Sequence, residues 1–371
     1  MSSRSEAMDK LFCSRSSGEG NSILASIIPK SEGLPETNPA SVFRPVDIGT
    51  LLAEPEEDIP WIIDGYLAQG AVTLLAGPPK IGKTTLAYHF VTHVATGQPL
   101  LNRVAWKAKV LVLALEEHRR DVVRRFRDSG KELAEHVKVY TRPLPFTEEI
   151  LDEIVAFIER EEIGFVLVDT LHAWWGLNDE NSAAEVIKAG GLLLKAVRRT
   201  TAAWLCLVHT RKSGGEHGQE IRGSTALLGL VDVALSMKRT EGGGAQRCLE
   251  AVSRYEETPS KIIIGLGERG YEALGSPEEV CAEGKAEKVR AALTEKGQTV
   301  EELSKVTGLT QRDVKRFLPR LGKPVVKEGA GVKHDPYRYR HHSIPATSHS
   351  REVTLPETNQ PETEEVLTDA D

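Results

Sequence analysis

The sequence predicts an α/β chain, with a mostly parallel sheet flanked by helices and a small helix-rich domain after it. Three observations carry that reading. From Val42 to about Gly275, short apolar runs of β type alternate with stretches of helical periodicity. The pattern G-x-x-x-x-G-K-[ST] at Gly77–Thr84 lies between one such run and one such helix. Beyond Val300 the chain reads helix, glycine turn, helix, and then a basic strand–turn–strand.

Residues 1–41, rich in Ser, Glu, Asn, Pro and Gly with one apolar run at Ile23–Ile28, are expected to be disordered. The α/β domain is expected over 42–276. Its strands should be 71–76, 110–115, 137–140, 164–169, 203–209 and 231–237, with antiparallel additions at 247–253 and 262–266. Its helices should be 83–95, 118–129, 147–161 and 182–199. Residues 277–284 read as a linker and 285–342 as a second domain, with a first helix at Ala286–Glu295. There Thr310 and Asp313 form a capping signature, and Leu303, Val306, Leu309, Val314, Phe317, Leu318 and Leu321 fall at helical spacing as a core. Helix–turn–helix plus wing resembles a winged helix-turn-helix. Residues 343–371 should be an acidic disordered tail.

Charge is unevenly spread. The net charge is −7, yet Lys285–Arg340 holds 14 Lys/Arg against 7 Asp/Glu, and Glu352–Asp371 holds seven acids and no base. A basic small domain on an acidic chain points to a phosphate-bearing partner for that domain alone. Gln311, Arg312, Lys315 and Arg316 on its second helix would face a DNA major groove, with Arg338 and Arg340 near phosphates. Cys13, Cys206, Cys248 and Cys281 lack C-x-x-C spacing and read as reduced, mostly buried thiols. No run approaches the length of a membrane span and no signal-peptide core is visible, so a cytoplasmic protein is expected.

The chemistry starts at Gly77, Pro78, Pro79, Lys80, Ile81, Gly82, Lys83, Thr84 and Thr85. Glycines let backbone N–H groups turn inward around phosphates, and the helix N-terminus adds positive dipole. Lys83 is placed to reach the phosphates, and the Thr84 hydroxyl to ligate magnesium. The loop therefore predicts a bound nucleotide and Mg²⁺. Phe165–Asp169 is an apolar strand ending in a carboxylate, so Asp169 is the expected second magnesium residue. The residue after it is Thr170, not an acid; the carboxylate pair Glu116–Glu117 instead ends the strand at 110–115. His209 ends another strand and precedes a glycine-rich basic loop, Arg211–Glu220, suited to a polyanion or a neighbouring subunit. Trp174 and Trp175 could stack bases or pack the core.

In the order of its strand-tip motifs over Ile59–Gly267, the chain resembles the RecA-like ATPases of the hexameric replicative helicase RepA group, found in plasmids and phages. The resemblance rests on Trp61–Leu67, Gly77–Thr85, Leu113–Glu117, Leu167–Leu171, Asp179–Ser182, Val208–Lys212, Ile221–Leu227 and Val231–Asp232. It implies Glu116 as the base that activates water and His209 as the γ-phosphate sensor. It implies Lys212 and Arg222 as residues reaching a neighbour's nucleotide across the interface of a homo-hexameric ring, with single-stranded DNA in the channel. Two other readings stay open. One is a DNA-binding regulator switched by ATP binding; the weaker is a small-molecule kinase.

Overall fold

The computed structural model describes residues 45–341 except 56–57, 128–129, 178, 180–181, 211–223, 241–243, 269 and 322–324. The chain divides into two compact units, 1–58 and 59–371. In the first, the described element is α1, Ile48–Leu52, none of whose residues is buried.

The second unit starts with a hairpin, β1 (Trp61–Ile63) and β2 (Leu67–Ala68), followed by β3 (Val72–Gly77), α2 (Lys83–Thr96), β4 (Lys109–Ala114) and α3 (Arg119–Phe126). Then come α4 (Gly130–His136), β5 (Val137–Tyr140), α5 (Glu148–Glu161), β6 (Ile163–Asp169), α6 (Leu171–Trp175), α7 (Ala183–Val197) and β7 (Ala203–His209). Next are α8 (Ser224–Leu230), β8 (Val233–Arg239), β9 (Gln246–Ser253), β10 (Lys261–Gly267) and β11 (Gly270–Gly275). The C-terminal elements are α9 (Pro277–Ala292), β12 (Gln298–Thr299), α10 (Val300–Thr307), α11 (Gln311–Phe317), a 3₁₀ turn (Leu318–Leu321), β13 (Val325–Glu328) and β14 (Arg338–His341).

Nine strands form one sheet in the order β11-β10-β9-β8-β3-β7-β6-β4-β5. The six from β8 to β5 run parallel, and β9 to β11 add antiparallel to that end. The central strands are almost wholly buried, as helices on both faces require: β3 is buried throughout, and β6 at all positions but one. Alternation along β3 separates two cores, Leu75 joining the α2 face and Val72, Leu74 and Ala76 the α5–α7 face. Helix starts follow capping chemistry: Thr147 Oγ1 accepts from Ile150 N at 3.4 Å and Ser182 Oγ from Glu185 N at 3.4 Å.

Several expectations need correction. Residues 277–284 are not a linker but the first half of α9, which Ser276 and Glu279 start with a reciprocal capping box. Pro277 at the first helical position, which reads as a breaker, is compatible with a helix start. Val306 is 67% exposed and outside the core formed by Ala286, Val289, Leu293, Leu303, Val314, Phe317, Leu318 and Leu321. Pro319 ends α11 in a 3₁₀ turn. Trp174 and Trp175 are buried, Trp174 stacking on Trp204 with centroids 6.4 Å apart, so they pack the core and offer no face to a base. Cys206 and Cys248 are buried but Cys281 is exposed. Among the described residues, no helix is long and apolar enough to cross a membrane.

Candidate functional site

Parallel strands put their carboxyl ends on one edge, and four of them carry the predicted residues there. Gly77 of β3 lies in register with His209 of β7, and Ala114 of β4 with Asp169 of β6. The turn after β4 is tied to β6, because Leu115 N and Glu116 N both donate to Asp169 O, at 2.8 and 3.3 Å. That pins Glu116 beside the Asp169 tip. The result is a cleft of about 480 Å³ lined by the loop, Lys83, Thr84, Glu116, Asp169 and His209, among others.

Lys80 and Gly82 take positive φ, 61° and 113°, giving the loop its inward turn. A side chain at Gly82 would be strained by that φ and would force Tyr271 to move, since its Cβ would lie 2.2 Å from Tyr271 Oη. From the loop α2 starts at Lys83, whose Nζ donates to Gly77 O at 2.9 Å and Pro78 O at 3.1 Å, and lies 3.2 Å from His209 Nδ1. Burial pulls the Lys83 pKa down, and Asp169 and Glu116 oppose that pull.

Asp169 is 2% exposed, and its Oδ2 is buried without a hydrogen-bond partner among the described residues. Burial, then the charge of Glu117, raises its pKa to about 7, with the Thr84 hydrogen bond opposing. A buried, orphaned carboxylate oxygen beside a threonine hydroxyl fits a hard divalent cation. Magnesium favours such sites, with one or two protein ligands and the remainder from phosphate and water. Glu116 is about half exposed; its Oε2 accepts from Thr170 Oγ1 at 3.0 Å and lies 3.9 Å from His209 Nε2. Glu117 is engaged otherwise: Arg125 Nε donates to both its carboxylate oxygens, at 3.2 and 3.0 Å, and the guanidinium lies 5.0 Å from the Tyr88 ring centroid.

The cleft thus brings together Gly77–Thr85, Glu116, Asp169 and His209. Lys212, Arg222 and the Arg211–Glu220 loop lie outside the described residues. Sequence reasoning missed Arg247, whose Nε donates to Ile81 O at 3.0 Å and so holds the loop from β9. It also missed Thr170, which orients Glu116, and Arg125, which holds Glu117. Thr170 follows Asp169 directly and was legible as a hydroxyl at a strand tip; Arg247 has no motif around it. In the small C-terminal domain, Gln311, Arg312, Lys315 and Arg316 are exposed on α11, whereas Arg338 approaches Glu302 and Arg340 pairs with Glu328 at 2.7 Å.

A family model described as an AAA domain matches residues 37–215, a span that covers the loop, Glu116, Asp169 and His209. The chain is 28% identical over 271 residues to the DNA repair protein RadA of Aquifex aeolicus, covering 71% of this chain and 56% of that protein. RadA of Pseudomonas aeruginosa is 22% identical over 220 residues (58% of this chain and 44% of that protein), and RadA of Chlamydia pneumoniae 23% over 221 residues (58% and 44%). The chain spans about half the length of the curated relatives it matches. These likenesses and the mostly parallel sheet support a RecA-like P-loop ATPase.

Proposed function

We propose that this RecA-like P-loop ATPase is a ring-forming motor on DNA, a helicase or translocase of plasmid, phage or mobile-element replication. The observation that carries the reading is the convergence of Lys83, Thr84, Glu116, Asp169 and His209 on one cleft, with Glu116 oriented by Thr170 and not by a neighbour on its own strand. The Gly77–Thr85 backbone and Lys83 hold the β- and γ-phosphates of ATP, and Thr84 and Asp169 hold Mg²⁺. When bound there, the ion would supply electrostatic stabilisation of charge developing on the phosphates. Glu116 orients the attacking water and takes its proton. His209 stands between the Lys83 ammonium and the Glu116 carboxylate, a position from which loss of the γ-phosphate is passed to the loop beyond β7. Lys212 and Arg222 complete the site of an adjacent subunit, so hydrolysis waits for assembly into a homo-hexamer.

DNA as the partner is supported by the similarity to the DNA repair protein RadA and by the net charge of the small domain. That domain is read as a winged helix whose exposed α11 side chains Gln311, Arg312, Lys315 and Arg316 meet duplex DNA. Single-stranded DNA would run through the ring. A second reading, an ATP-switched DNA-binding regulator, is favoured by one connection. Tyr271 of β11 packs on Gly82, and β11 continues through Ser276 into α9 of the small domain. Light-scattering mass on a sizing column with ATP and Mg²⁺ tests the ring. A hexamer is expected, and Arg222→Ala should assemble yet hydrolyse poorly. A monomer at every concentration would contradict the ring and the role of Arg222.

A further inference from the structure

A second cleft, of about 690 Å³, opens between α3 and the edge strand β5. Its chemistry is one-sided. Among the described residues, Arg119, Arg127 and Arg142 line it, no acidic side chain does, and none of the three makes an ion pair. Two other cations of α3 do have acidic neighbours: Arg120 lies near Asp121 and Arg125 grips Glu117. The floor is apolar, from Val122, Val123 and Phe126 of α3 and Val139 of β5, of which Val123 and Val139 are 49% and 41% exposed. Tyr140 and Thr141 complete the wall.

Three guanidiniums with no carboxylate partner among the described residues, set around apolar and aromatic surface, match alternating phosphates and bases. The cleft lies half-open along a sheet edge, which suits a strand lying across it better than an enclosed small molecule. We infer that this cleft is a second nucleic-acid site, which takes the phosphates of single-stranded DNA on Arg119, Arg127 and Arg142. The inference rests on the DNA reading proposed above and adds a contact surface outside the channel loops.

Helix geometry links the two clefts. At 100° per residue, Arg119, Val123 and Arg127 share one stripe of α3, and Arg125 projects to another side. The same short helix therefore holds the strand site on one face and Glu117, next to Glu116, on another. A strand lying on α3 would bias the position of the acid pair, which predicts that hydrolysis is stimulated from this site.

The test is fluorescence anisotropy of a labelled oligo-dT strand against salt, with wild type and the Arg119→Glu/Arg127→Glu/Arg142→Glu variant. Each lost phosphate contact lowers the log–log salt slope by about 0.7, so the triple variant should lose about 2. Its ATPase rate and KM without DNA should stay unchanged, while stimulation by DNA falls. Should the triple variant misfold, Arg142→Gln, on the loop after β5, is expected to lose about 0.7 of slope alone. Wild-type slope in the variant, or equal competition by a mononucleotide, would overturn the inference and leave the motor reading intact. A wild-type protein that binds no strand would overturn both.

Discussion

Lys83 is held between burial, which favours its neutral form, and two carboxylates, which favour its charged form. Its ammonium donates to loop carbonyls, so the charge is already aimed where phosphate would lie. A charged hydrogen bond is worth about 1.5–3 kcal/mol, and Lys83→Ala should weaken ATP binding about 10- to 150-fold by titration calorimetry. Glu116→Gln keeps shape and removes the proposed base, so kcat should fall about 10²- to 10⁴-fold at nearly unchanged ATP affinity. An unchanged kcat would move the base elsewhere. Candidate residues inside a motif or after an apolar run were legible: Lys83 and Thr84 stand in the loop motif at the start of α2, Asp169 ends β6 and Glu116 follows β4. Arg125 and Arg247 act through contacts 8 and 166 residues away in sequence, and no local pattern carries such contacts.

At the scale of elements, the antiparallel strands β9–β11 brace the nucleotide loop. Arg247 on β9 holds Ile81 O, and Tyr271 on β11 packs on Gly82 and donates its backbone N–H to His89 Nδ1 of α2 at 2.9 Å. Arg247→Ala should raise the ATP KM about tenfold with little change in kcat, because the loop, not the base, loses its brace. Arg247→Lys should recover part of that loss; equal kcat and KM effects in both variants would show general unfolding instead. His89 gives this brace a pH signature. Burial, then the charge of His93, lowers its pKa to about 4. Above about pH 6.5 it is neutral folded and unfolded; between 6.5 and 4 only the unfolded chain takes up the proton. Stability is therefore lost on acidification through that window, by ~1–2 kcal/mol at pH 5 allowing for partial exposure. Urea unfolding at pH 7 and pH 5 should show this loss, and His89→Gln should flatten it. The strands at 247–253 and 262–266 were expected; β11 and the β1–β2 hairpin were not, being short or glycine-bounded. Residues 277–284 read as a linker because Pro277 and Gly284 look like breaks, although Ser276 and Glu279, the capping box that starts α9, have the same spacing as the Thr310–Asp313 signature.

For the whole molecule, apolar runs set between helical stretches were enough to expect a parallel sheet with its chemistry on the carboxyl edge, and the strand order brings that chemistry together. Strand order itself was not legible, since it depends on which buried faces fit each other across the nine strands. The C-terminal core around Phe317 and Leu303 followed helical spacing, yet Val306, at the same spacing, faces solvent at the helix end before Gly308. The proposed motor function requires ATP turnover coupled to a nucleic-acid strand. The measurement that tests this most directly is the steady-state ATPase rate with and without single-stranded DNA, for wild type and Glu116→Gln. The account predicts a DNA-stimulated rate in wild type and almost none in Glu116→Gln under either condition. A wild-type rate indifferent to DNA, or a Glu116→Gln rate equal to wild type, would contradict it.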